Sequence, residues 1–83
     1  MKKSFFVTIK LVERDSSSLI DILSFHTFSR ANDAFKDELS RRRSAIGFRG
    51  FSYLINAPKN ETSVACLFDD FRIVVSLVII SHS

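Results

Sequence analysis

Cysteine occurs once in these 83 residues, proline once, glycine twice and tryptophan not at all. A single thiol, Cys66, excludes an internal disulfide and any cysteine-rich zinc site. So little glycine and proline, beside 46% apolar residues, is unlike the composition of a disordered chain. A long hydrophobic run is missing too. The longest largely apolar stretch, Ile73 to Ile80, falls far short of the roughly 20 residues that cross a bilayer as a helix. Lys2-Lys3 precedes the apolar stretch Phe5 to Val12, but Lys10 interrupts it and no small-residue cleavage site follows, so no signal peptide is expected. These absences point to a reducing, cytoplasmic setting, in which the Asn60-Glu61-Thr62 sequon is incidental to a turn. Charge of one sign is also scarce. Twelve Lys and Arg against nine Asp and Glu leave +3, which excludes an acidic DNA mimic and permits a nucleic-acid partner without demanding one.

What the chain does have is apolar bulk, including nine Phe. A 9.5 kDa chain is one domain, residues 1–83, and buries about 60–65% of its unfolded surface, enough for one core without staples. Phe5, Val7, Ile9 and Leu11 alternate with Phe6, Thr8, Lys10 and Val12, the period of a half-buried strand. Glu13 to Ser18 reads as a polar turn. In residues 19–28 the apolar positions would point all round a helix, so a second strand paired with the first is preferred to an early helix start.

A helix follows, with Ser29 as its cap and Ala31, Phe35 and Leu39 as a narrow core stripe. Asp37 with Arg41 and Glu38 with Arg42 are acid-before-base pairs four apart, each worth about 0.2–0.5 kcal/mol. Gly47 stands where a helix usually stops. Phe48 to Asn56 and Thr62 to Phe68 flank the turn residues Ala57-Pro58-Lys59-Asn60 and read as a second hairpin. Phe71 to Ile80 is apolar on both faces, as a strand covered on both sides would be, whether by its own chain or by a second copy. The expected fold is α+β: an antiparallel sheet of four to five strands, order β-β-α-β-β-β, with one main helix on one face.

Chemistry-bearing groups are few. Arg49-Gly50-Phe51-Ser52-Tyr53-Leu54-Ile55-Asn56 resembles the RNP1 strand of the RNA-recognition motif family, in which aromatics on a sheet face stack bases. Ser52 stands in place of the usual Gly or Ala, Asn56 in place of the final aromatic, and the likeness spans these eight residues. It implies a stacking platform of Phe51 and Tyr53 beside Arg49. The plainer expectation is that both aromatics are core, buried under the helix. Arg41, Arg42 and Arg43 form the densest positive patch, where cations also suit a helix C-terminus; Arg43 and Arg49 lack evident partners.

Asp69-Asp70 lacks the further oxygen ligands of a calcium or magnesium site and reads as a solvated turn. His26 is expected to be packed beside Ile20, Ile22 and Phe28, and His82 to be mobile; Cys66 reads as a small buried apolar residue. Gly47-Phe48-Arg49-Gly50 lacks the ending of a phosphate loop. No cofactor, metal site or catalytic group is expected.

The expected function is therefore that of a small non-enzymatic binding protein. An accessory protein or inhibitor of the phage or mobile-element type, occluding another protein, comes first, on the base rate for small solo domains. The alternative is RNA or single-stranded nucleic-acid binding through Arg41, Arg42, Arg43, Arg49, Phe51 and Tyr53. A homodimer through Phe71 to Ile80 is compatible with both, because one helix covers only one face of a sheet.

Overall fold

The computed structural model describes residues 2–53 and 58–82. Five strands and one helix follow in the order β1 (Lys2–Glu13), β2 (Ser17–Phe25), α1 (Phe28–Arg43), β3 (Gly50–Tyr53), β4 (Glu61–Leu67) and β5 (Phe71–His82). The fold is α+β, a five-stranded antiparallel sheet with a single helix packed on it. Strand order across the sheet is β2-β1-β5-β4-β3, so the last strand in sequence lies at the centre.

Alternation in β1 sets the sheet's two faces. Phe5, Val7 and Ile9 are buried, and their register partners on β5 are Ile79, Leu77 and Val75. Val64 and Cys66 of β4 face Val75 and Ile73. These residues meet Ala31 and Phe35 of α1 to form the core. Ala31 is fully buried, and its small side chain lets the helix approach the sheet closely.

Several local expectations shift by a few residues. The second strand ends at Phe25 instead of reaching residue 28, because Thr27 caps the helix: its Oγ1 accepts from the Arg30 N–H at 3.3 Å. Thr27 therefore takes the role expected of Ser29, which lies inside the first turn. His26 consequently falls in the bend between strand and helix, exposed and not packed on a strand face. The helix stops at Arg43, where Ser44 donates its N–H to the Ser40 carbonyl at 3.2 Å. Gly47, at φ +89°, then turns the chain toward β3, a conformation that costs any residue with a Cβ. Of the strand expected over 48–56, residues 50–53 are β3; 54–56 lie outside the described residues, as does Ala57 of the turn.

β5 was expected to be apolar on both faces, and its central position explains the composition. β1 pairs along all of β5 and β4 along Arg72 to Val78, so over that stretch no further strand can pair with it. What remains of β5 for other molecules is a face.

Candidate functional site

On the face away from α1, the even residues of β1 and β5 and the odd residues of β4 project, and no helix or strand among the described residues lies above them. At one end of this face Phe6, Thr8, Ile22, Val78 and Ile80 line an apolar depression of about 290 Å³. Ile22 and Ile80 are 52% and 42% exposed, which is far from the burial that such side chains usually reach. At the other end, Val12, Leu67 and Arg72 border a charged hollow together with Glu13, Arg14 and Asp70.

Small residues floor the middle of the face. Ser63, Ala65 and Ser76 are buried, screened by the larger side chains around them. The Ser63 hydroxyl donates to Glu61 Oε1 at 3.0 Å and lies 2.7 Å from the Ser76 hydroxyl. With its own hydrogen committed to the carboxylate, Ser63 accepts from Ser76, and the chain of bonds runs Ser76 to Ser63 to Glu61.

The edge of the sheet beside the apolar depression is β2. Its register slips between Ile9 and Lys10, leaving Ile20 at a bulge. Next to the bulge the Ile22 N–H donates to the Asp21 carboxylate at 2.9 Å. A bulge and an occupied amide in mid-strand both discourage an incoming strand. The sheet is thus better protected at this edge than across its open face.

The basic and aromatic residues singled out from the sequence gather on the helix side, around the other edge. Cys66 pairs in register with Phe51 and feels the positive charge of Arg42, so the helix C-terminus lies over the β3–β4 edge. Most of the patch is already engaged. Arg41 and Arg42 both pair with Glu38, at 3.3 and 3.4 Å, and Asp37 is not Arg41's partner. Glu38 is buried, and its Oε2 and the Arg42 Nε have no hydrogen-bond partner among the described residues. Arg49, which was expected to lack a partner, donates to Asp69 Oδ1 at 2.8 Å. This contact raises the arginine's pKa further and holds the Asp69 carboxyl below its ordinary value.

Phe51 and Tyr53 do share a strand face, but it is the helix-side face. Phe51 is half-buried and packs edge-on against Phe48, with ring centres 4.9 Å apart. Tyr53, at 70% exposure, is not under the helix, because α1 does not reach it. A base-stacking platform needs its aromatics on an open face, and here the pair is divided. Of the six candidate residues, Arg43 and Tyr53 are exposed with no ion pair or aromatic contact among the described residues.

His82 Nε2 lies 2.8 Å from the Ser4 hydroxyl across the β1–β5 ladder, and the ring stays exposed. Burial pushes the Cys66 thiol pKa up, only partly opposed by Arg42. No group of His, Cys, Asp or Glu that could hold a metal ion occurs among the described residues. No helix among them is long and apolar enough to cross a membrane. No protein-family model, curated protein or solved structure matches this chain.

The sequence pointed to this face through β5 alone, as an apolar strand in a sheet that one helix covers on one side. Phe6 and Val12, on the less apolar face of β1, and Ile20 and Ile22, expected to pack beside His26, were not connected with it.

Proposed function

We propose that this chain is a non-enzymatic protein-binding module, of the accessory or inhibitor kind, and that it meets protein through the open face of its sheet. One observation carries this reading: a sheet with a single helix leaves Phe6, Ile22, Val78 and Ile80 around one apolar depression with nothing above them. A contiguous apolar patch of this kind marks an association surface more often than it marks an idle one. The same depression has no charged or catalytic group in its lining, which suits occlusion and not turnover.

The nucleic-acid alternative is supported less. Three of the four arginines on which it relies are already paired, Arg41 and Arg42 with the one Glu38 carboxylate and Arg49 with Asp69, and Phe51 is committed to packing against Phe48.

The test is affinity capture with the tagged wild-type chain beside a folded Ile22→Lys/Ile80→Lys variant. Both substitutions sit at exposed positions and leave the core alone. Protein held by the wild type and released by the variant is the expected result. Equal capture by both, or tight nucleic-acid binding that persists at physiological salt in both, overturns the proposal.

A further inference from the structure

Area, charge and register together say what occupies that face. A folded monomer of this mass exposes about 5,000 Å² by the usual scaling. This chain exposes 6066 Å². The surplus of about 1,000 Å² compares with the roughly 800 Å² that each partner buries in a stable complex. The molecule measures 42 × 25 × 22 Å, its long axis close to the length of the 12-residue strands β1 and β5.

Two charges on the face are self-complementary. Lys10 lies on β1 beside Val74, and Glu61 lies on β4 beside Val78. Ser76 sits midway between them on the central strand, so the two charges stand diagonally on either side of it. Lys10 is exposed and makes no ion pair among the described residues.

We infer that the open face is closed by a second copy of this chain, sheet against sheet, about a two-fold axis lying in the plane of the interface and passing over Ser76. Such an axis sets Lys10 of each copy over Glu61 of the other. It carries Phe6 close to its own counterpart and places Ile22 opposite Val78 and Ile80 of the second copy. The same surface serves both partners, which is what an isologous dimer requires. The assembly is a two-sheet sandwich with helices outside, its interior lined by residues that a monomer leaves wet. The apolar β5 stretch then has a layer on each side. This inference rests on the open face being a protein surface and names the partner.

The experiment is sedimentation equilibrium of the full chain up to high micromolar concentration, with Lys10→Glu, Glu61→Lys and their equimolar mixture. Each folded single variant brings like charges together twice and should dimerise at least roughly tenfold more weakly than the wild type. Mixing them restores opposite charges at both contacts, so the mixture should recover a heterodimer near wild-type strength. If Glu61→Lys fails to fold for want of the Ser63 acceptor, weakening by Lys10→Glu alone decides the matter. Two results overturn the inference. Dimers indifferent to these substitutions form through another surface. A strictly monomeric wild type leaves the face to a different protein, a case that the Ile22→Lys/Ile80→Lys capture experiment judges separately.

Discussion

The two faces of this sheet are built from the same strands and differ in what lies above them. On the helix side, Val7, Val75 and Cys66 have no exposed surface, and Ala31 and Phe35 fill the space between layers. On the other side, side chains of similar character, Ile22 and Ile80, remain about half exposed. Hydropathy alone does not distinguish the two sets. What separates them is whether the chain itself supplies a cover: the covered face belongs to folding, and on the reading proposed above the open one belongs to association.

That contrast can be broken most directly with one substitution on each face. Phe35→Ala removes the largest helix-side contact and should cost about 3–5 kcal/mol, read as a lower denaturation midpoint. Ile22→Lys should shift stability measured on the monomer by less than about 0.5 kcal/mol while weakening association. Comparable losses of folding stability from both would mean that the open face is also part of the core.

A smaller effect sharpens the account of how the helix is set on its face. Thr27→Ala should cost about 1 kcal/mol through loss of the helix cap, and Ser29→Ala close to nothing. Thermal unfolding of the two variants side by side separates the observed cap from the one that the sequence suggested.

The smallest effect concerns the exposed pair Arg49–Asp69. Because the folded-state pKa of Asp69 is lowered, its contribution to stability is present above the ordinary carboxylate range and fades as pH falls through the folded value. Both side chains are well exposed, so solvent screens the pair and the change in stability should be slight. An NMR titration should find the Asp69 midpoint moving upward in Arg49→Gln. An unmoved midpoint would remove the salt bridge from the account.

The fold was legible where one periodicity dominated. The alternation in Phe5 to Val12, the Ala31-Phe35-Leu39 stripe and the breaks near residues 14–16 and 69–70 gave the element order and the α+β class. Boundaries were less legible. Thr27, Ser29 and Ser18 are all competent caps, and only the geometry at Thr27 decides between them. Ion pairing was also hidden, because nothing local joins Arg49 to Asp69, and both Asp37 and Glu38 lie within helical reach of Arg41. The open face was legible only in β5, for another reason. An apolar residue carries no mark of which layer will cover it, and strand order, which makes β5 central, is not written in any single segment.

One feature of that order governs how the protein comes into being. β1 pairs along its whole length with β5, from Lys2 opposite His82 to Glu13 opposite Phe71. At ordinary translation speeds, the partner strand begins to appear roughly 3–12 s after β1 is complete. Until then the first hairpin has no helix-side core and no central neighbour, and two strands alone are marginal in water. The nascent chain therefore holds Phe5, Val7, Ile9 and Phe6 open to its surroundings for seconds. Closure by the final strand is the step that gives β1 its central neighbour, and a chain cut short before Phe71 would lack the strand that joins the two halves of the sheet.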